Sequence, residues 1–85
     1  MSKQMVVSIK FLGMQRLITD TDSLEMPING NTKVQDALDY VRQRYPDLPL
    51  EEGMALITVN HEVATKDRVL KDGDTISFLP LIAGG

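Results

Sequence analysis

One amphipathic segment near the middle of the chain constrains the fold most, because its apolar residues recur at helical spacing. Its apolar stripe comprises Val34, Ala37, Leu38, Val41 and Tyr45. Thr32 and Gln35 have the spacing of a capping box, which predicts that a helix starts there. Pro46 disfavours helical geometry at the residue before it, so we expect the helix to end near position 45.

Alternating apolar and polar residues on both sides of this helix predict short β-strands with one buried face. The predicted strands cover residues 5–12, 24–28, 56–59, 62–64 and 75–79. Pro27 cannot donate a ladder hydrogen bond, so the second strand is expected at an edge of the sheet. Asn60-His61 and Lys71-Asp72-Gly73-Asp74 predict turns. Residues 14–23 carry several turn-forming residues and are interpreted as a loop.

The helical stripe and the apolar faces of the strands have only each other to pack against. We therefore predict an α+β domain in which one main helix covers a small mixed sheet of about four to five strands. The first two strands can form a hairpin, the helix supplies a crossover, and the last strand lies beside the first. This is the ubiquitin-like β-grasp architecture. Residues 1–80 are assigned to this domain and residues 81–85 to a flexible, extended C-terminal tail.

Composition argues against several kinds of functional site. The chain has 85 residues, no cysteine and 1 histidine, so it holds no disulfide framework or cysteine nucleophile, and we predict no metal site. A formal net charge of -3 argues against binding to a nucleic-acid backbone. The sequence shows neither a signal-peptide pattern nor an apolar stretch of membrane-spanning length. We therefore expect a cytoplasmic protein without nucleic-acid or membrane partners.

The side chains of types used in catalysis are better explained by structure. His61 is a candidate acid-base group, but it falls in a predicted turn. Asp72 and Asp74 lack the rest of a calcium-loop pattern, so turn chemistry explains them better. The methionines expected to fill gaps in the core are Met14, Met26 and Met54.

The C-terminal segment is the one feature that these structural explanations do not account for. Residues 78–85 read Phe-Leu-Pro-Leu-Ile-Ala-Gly-Gly, and no charged side chain follows Asp74. Pro80 ends the hydrogen-bonding capacity of the predicted strand and stiffens the exit. The six residues 80–85 reach about 20 Å when extended. Because glycine has no Cβ, Gly84 and Gly85 can enter a slot too narrow for other residues.

The terminal carboxylate is then the candidate reacting group. A carboxylate is ionised at neutral pH and is a poor electrophile, so transfer of its acyl group requires activation. An adenylating enzyme can supply this activation as an acyl-adenylate, after which a sulfur donor or an amine can attack the carbonyl. In this hypothesis the tail is the reactant, and the globular body is the part that partner proteins bind.

These residues resemble the MoaD/ThiS sulfur-carrier family, and most of all its molybdopterin synthase small subunits. The specific part runs from Val59 to Gly85: Val-Asn at its start, Leu-Lys-Asp-Gly-Asp before the last strand, and the Gly-Gly end. Lys10-Phe11-Leu12 and Arg16-Leu17 extend the similarity more loosely towards the start of the chain. Leu79 stands where the family often has a second proline.

The resemblance implies a function for the tail. An E1-like adenylyltransferase would use ATP to adenylate Gly85, and a sulfur-donor protein would supply the sulfur of a thiocarboxylate. The protein itself would bind no cofactor. It would join a molybdopterin synthase large subunit and donate sulfur to a pterin precursor of the molybdenum or tungsten cofactor. Gly84 would fill a narrow channel in the partner. The other residues implied to lie along the partner are Phe78, Leu79, Pro80, Leu81, Ile82 and Ala83.

Other functions stay open at this point. The chain could carry sulfur for thiamine or another pathway, or act as a ubiquitin-like modifier that is joined to lysines of target proteins. It could also be a non-covalent β-grasp binding module that uses exposed apolar residues such as Leu56 and Leu79 on the sheet face opposite the helix. An enzyme acting alone is the least favoured class.

Overall fold

Five strands and two helices follow one another along the described residues, 4–48, 50 and 55–80, of the computed structural model. The elements are β1 (Met5–Lys10), α1 (Met14–Thr19), β2 (Ser23–Ile28), α2 (Val34–Arg44), β3 (Ala55–Val59), β4 (Glu62–Val63) and β5 (Thr75–Pro80). The predicted strands and the main helix are confirmed, with ends that differ by one or two residues.

The strands form one mixed sheet in the order β2-β1-β5-β3-β4. β1 and β5 run parallel, with Ile9 opposite Ile76, and the other neighbouring pairs are antiparallel. β2 lies at one edge, as the proline at position 27 requires. The order and directions confirm the β-grasp fold.

The core lies between α2 and one face of the sheet. Its most deeply buried side chains come from alternating strand positions, from the apolar stripe of α2 and from Phe11 and Leu70, which lie outside these elements. They include Val7, Ile9, Phe11, Val34, Val41, Val59, Leu70, Ile76 and Phe78. Tyr45, just beyond the end of α2, packs edge-on against Phe11 with ring centroids 5.6 Å apart. The predicted helical stripe is therefore the part of the helix that faces the sheet.

The start of α2 differs from the predicted capping box. The Asp36 carboxylate, not the Gln35 amide, accepts a hydrogen bond from the Lys33 N–H at 2.9 Å. The Thr32 hydroxyl accepts from the N–H of Asn29 at 3.0 Å instead of capping the helix. The helix begins at Val34, later than predicted, and this shift moves the reciprocating position from 35 to 36.

The predicted turns are confirmed, and backbone and side-chain hydrogen bonds explain the two aspartates of the second turn. Asn60 and His61 both have positive φ, at 53° and 72°, as a two-residue hairpin turn between β3 and β4 requires. Asp74 is buried, and its carboxylate accepts from Asn60 Nδ2 at 2.9 Å and from the Lys71 N–H at 2.8 Å. Asp72 accepts from the Val6 N–H at 2.9 Å. Both carboxylates therefore stabilise the strand ends.

The segment predicted as a loop after β1 contains the short helix α1, so that interpretation was wrong. Gly13 precedes the helix with φ 53° and ψ -124°, a conformation that residues with a Cβ rarely adopt. Asp20 ends it in the left-handed region, and its N–H donates to the Arg16 carbonyl at 2.9 Å. β1 and β2 pair antiparallel as predicted, but α1 stands between them instead of a tight hairpin turn.

The methionines do not share one role. Met26 is buried with 4% of its surface exposed, which confirms its place in the core. Met14 is 72% exposed on α1, so its predicted burial was wrong. Met54 lies outside the described residues.

Candidate functional site

The end of β5 is the place from which the C-terminal residues continue. β5 lies in the middle of the sheet, and its pairing with β3 extends to Pro80, which stands opposite Ala55. Its pairing with β1 stops earlier, where Lys10 stands opposite Ser77. Among the described residues, β5 beyond Ser77 therefore has a strand neighbour on the β3 side alone.

A side-chain amide occupies the other side of β5 at this point. Gln15 Nε2 donates to the Phe78 carbonyl at 2.6 Å, and Gln15 Oε1 accepts from the Leu12 N–H at 2.9 Å. Gln15 is 8% exposed, so water competes little for either bond. The amide thus connects the segment that follows β1 to the end of β5.

The helix that carries Gln15 has its apolar residues on the outside. Met14 is 72% exposed, Leu17 75% and Ile18 40%, whereas Gln15 and Thr19 are buried. The Thr19 hydroxyl donates to the Thr21 carbonyl at 2.9 Å, so this buried polar group is also satisfied. α1 therefore presents apolar side chains to solvent close to the end of β5.

A shallow groove of about 520 Å³ lies on the sheet face opposite α2. Leu12, Arg16 and Leu79 line it, and we call these three residues the exit surface. Arg16 also forms a solvent-exposed ion pair with Asp22 at 3.6 Å. His61 lines the groove as well and is exposed, which agrees with the prediction of a solvent-accessible turn histidine. The groove combines apolar surface with charged side chains of both signs.

The residues predicted to contact a partner differ in where the structure places them. Leu79 is 38% exposed and pairs with Leu56, which is 41% exposed. Their exposure confirms that the sheet face opposite α2 carries accessible apolar residues. Pro80 is the last residue of β5. Phe78 has no exposed surface, so its side chain belongs to the core and the predicted contact can begin only at Leu79. The predicted site residues Leu81, Ile82, Ala83, Gly84 and Gly85 lie outside the described residues.

Sequence reasoning missed Gln15 and the outward side of α1. Phe11, Gln15 and Thr19 are all buried and are spaced four residues apart, which is a helical signal. The signal was hidden because two of these three positions are polar. The partner of Gln15 is also 63 residues away along the chain, and no local pattern indicates a bond over that separation.

Neither a metal site nor a membrane-spanning helix is present among the described residues. No group of three or more His, Asp or Glu side chains is arranged to hold a metal ion within residues 4–48, 50 and 55–80. In the same part of the chain, neither helix has the length and apolar character needed to cross a membrane.

Comparison with solved structures places the fold in a known class. The crystal structure of SAMP1 from Haloferax volcanii superimposes with a TM-score of 0.80 at 19% identity, and the match covers 94% of this chain and 99% of that one. Together with the sheet order, this likeness shows that the domain has the ubiquitin-like β-grasp fold.

The sequence comparisons are more specific. Residues 9–85 match the ThiS family, so the chain belongs to the ThiS/MoaD family. A relative from Mycobacterium tuberculosis, the molybdopterin synthase sulfur carrier subunit, is 32% identical over 80 residues, covering 93% of this chain and 96% of the relative.

A structure of a complex also resembles this chain. It is the protein–protein complex of subunits 1 and 2 of molybdopterin-converting factor from Helicobacter pylori. The matched chain is 28% identical with a TM-score of 0.62, and the match covers 95% of this protein and 100% of that chain. A β-grasp chain of this kind is therefore found in that complex.

Proposed function

We propose that this protein is a sulfur carrier whose C-terminal glycine, Gly85, is adenylated and then converted to a thiocarboxylate. The observation that carries the proposal is the uncharged segment ending in Gly84-Gly85, which continues directly from the central strand β5. The match to the ThiS family includes this segment. The described body supports the start of this segment, since β3 pairs with β5 up to Pro80 and Gln15 bonds the Phe78 carbonyl on the other side.

The proposed chemistry uses the main chain as the reactant. A Gly85 carboxylate oxygen attacks the α-phosphorus of ATP held by an E1-like enzyme, and pyrophosphate leaves with the electron pair of the broken bond. The resulting acyl-adenylate has a good leaving group on its carbonyl carbon. The terminal sulfur of a donor protein's persulfide then displaces AMP and gives an acyl disulfide. A thiol reductant attacks the donor's sulfur in this S–S bond, which releases the thiocarboxylate and leaves a new disulfide between the thiol and the donor. None of these steps needs a catalytic side chain of this protein, and the ATP is bound by its partner.

The partner surface in this proposal is the exit surface together with the C-terminal residues. Leu12 and Leu79 supply apolar contact, and Arg16 supplies a charge at the rim. Leu81, Ile82 and Ala83 continue this apolar character towards Gly84, which would occupy a narrow channel. The Helicobacter complex supports a large subunit of the same kind as the second partner, after the activating enzyme.

The receiving pathway in our proposal is molybdopterin synthesis in the cytoplasm. The support is the 32% identical relative, which is named a molybdopterin synthase sulfur carrier subunit. A carrier for thiamine synthesis and a protein modifier would share the activation step. They differ in where the acyl group or its sulfur finally goes, and the product analysis below separates them.

The first prediction concerns Gly85. Protein isolated from cells that contain its own activating enzyme should include a fraction heavier by the mass difference between sulfur and oxygen. Deleting Gly85 should abolish ATP-dependent adenylation and leave the midpoint of thermal unfolding unchanged, because this deletion removes no side chain. Deleting one residue from the amino end is the matched control and should leave adenylation intact.

One result would overturn this function, and two others would change the destination of the acyl group or its sulfur. Persistent absence of both the heavier species and the adenylate would overturn it. Isopeptide conjugates that resist reduction would show a protein modifier, and sulfur transfer to a thiazole precursor would show a thiamine carrier.

A further inference from the structure

Near its end, β5 is still hydrogen-bonded on the side that faces β1, although the pairing with β1 stops at Ser77. Ser8 N–H donates to the Asp74 carbonyl at 2.9 Å across the β1–β5 pair. Carbonyls two residues apart on a strand point to the same side, so those of Asp74, Ile76 and Phe78 all face the β1 side. By the same spacing, the N–H groups that face β5 after Ser8 are those of positions 10 and 12.

The next rung of that ladder would join the Leu12 N–H to the Phe78 carbonyl. The Gln15 amide takes this place, accepting from Leu12 at 2.9 Å and donating to Phe78 at 2.6 Å. A carboxamide has the same donor and acceptor as a peptide group, so it serves as one additional rung. Leu12 and Leu79 both border the groove, so this rung connects the exit surface to the end of β5.

We propose that Gln15 is a positioning residue for acyl transfer at Gly85. Its amide fixes the end of β5 relative to the exit surface, so that a partner bound there receives the C-terminal carboxylate in register with its own reactive groups. The inference rests on the proposed function. Misplacement of a reacting group by about 1 Å lowers rates strongly even when binding is unchanged, which is why one hydrogen bond here affects the reaction.

Gln15→Glu tests this directly, because the new side chain has nearly the same shape. An ionised carboxylate still accepts from the Leu12 N–H but cannot donate to the Phe78 carbonyl. At about pH 8 we expect kcat for ATP-dependent adenylation by the E1-like enzyme of the same cell to fall about tenfold. We expect KM for the carrier to change by less than about twofold, because Leu12, Arg16 and Leu79 are retained.

The pH dependence separates positioning from a general loss of structure. Burial and the facing carbonyl raise the pKa of the introduced carboxyl group. As the pH falls through that pKa, the protonated group can again donate to Phe78. The kcat of Gln15→Glu relative to that of the unchanged protein should therefore rise towards one as the pH is lowered.

Two further variants serve as a second test and a control. Gln15→Met has a similar length but neither the amide donor nor its acceptor, so its relative kcat should be low at every pH. Asn60→Ala removes hydrogen bonds to Asp74 and Thr75 at the opposite end of β5, with a comparable cost in stability. The control should keep the kcat of the unchanged protein.

A measurement on the isolated carrier completes the test. The backbone order parameter of the Leu79 amide should fall in Gln15→Met and stay unchanged in Asn60→Ala.

Equal kcat for the folded Gln15 variants and the unchanged protein, or an unaltered Leu79 order parameter, would overturn the positioning role and leave the carrier function standing. If Gln15→Glu does not fold, the relative kcat and the Leu79 order parameter of Gln15→Met provide the test. Absence of adenylation of the unchanged protein would overturn the carrier function and this inference together.

Discussion

The two helices use their apolar residues in opposite ways. α2 buries Val34, Ala37, Leu38 and Val41 against the sheet, as an amphipathic helix of a small domain usually does. α1 buries Gln15 and Thr19 and exposes its apolar residues instead. Both helices carry an apolar face, so the presence of such a face does not by itself show which side is turned inward.

The difference follows from what each helix packs against. α2 covers a wide apolar sheet face, where burying an aliphatic side chain contributes about 1.5–3 kcal/mol. α1 lies beside the end of β5, where a backbone carbonyl needs a donor once β1 has ended, and a glutamine supplies it. The exposed apolar residues of α1 do little for the fold, which leaves them available for contact with a partner.

The largest expected effect is a difference in stability between variants of the two helices. Leu38, on α2, is 3% exposed, and Leu17, on α1, is 75% exposed. Leu38→Ala should lower the free energy of unfolding by about 2–5 kcal/mol, because it leaves a cavity in the core. Leu17→Ala should change it by less than about 0.5 kcal/mol. Chemical denaturation of both variants provides the measurement.

The paired substitutions remove the same atoms, so helix propensity and side-chain chemistry largely cancel between them. Equal losses would mean that the apolar side of α1 is packed in solution, and the contrast between the helices would fail.

The same contrast determines what the sequence could predict. α2 was found because its apolar residues are the buried ones, and the strands were found because Val7, Ile9, Ile76 and Phe78 alternate with less buried positions. The turn at Asn60-His61 was found from local conformational preferences. In each of these places the local pattern and the packing agree.

α1 and the role of Gln15 were not predictable in this way. The buried side of α1 is polar, and the amide donor of Gln15 is satisfied by a carbonyl 63 residues further along the chain. The candidate site divides similarly: its chemistry was predicted from the uncharged Gly-Gly end, whereas the structure that holds the end of β5 appeared only in three dimensions.

The next prediction asks whether the outward side of α1 contacts a partner. Leu17→Asp places a charge on that side and should weaken binding to the large subunit of the proposed complex about tenfold, which corresponds to about 1.4 kcal/mol. Burying an unpaired carboxylate in an apolar contact is the cause of the loss. Calorimetric titration measures the dissociation constant.

Gln43→Asp is the matched control, since Gln43 is exposed on α2 and the substitution introduces the same charge. Its dissociation constant should stay within about twofold of the unchanged value, as is usual for a charge outside an interface. A similar loss in both variants would show a general effect of charge and would remove the functional distinction between the helices.

The smallest expected effect concerns how the helices begin. Asp36 accepts from the Lys33 N–H at 2.9 Å at the start of α2, whereas α1 follows Gly13 without a side-chain cap. Asp36→Ala should lower the free energy of unfolding by about 1 kcal/mol, because it removes this hydrogen bond and a negative charge near the helix N-terminus. Urea denaturation of the variant measures the loss.

Asp39→Ala is the control for this change, because Asp39 lies almost one turn further along α2 and is also exposed. It loses the same charge and one solvent-exposed hydrogen bond, from Gln35 Nε2 at 2.9 Å, so a change of a few tenths of a kcal/mol is expected. A loss as large as that of Asp36→Ala would show that the charge alone matters. α2 would then begin without an effective side-chain cap, as α1 does, and the helices would differ only in which of their faces is buried.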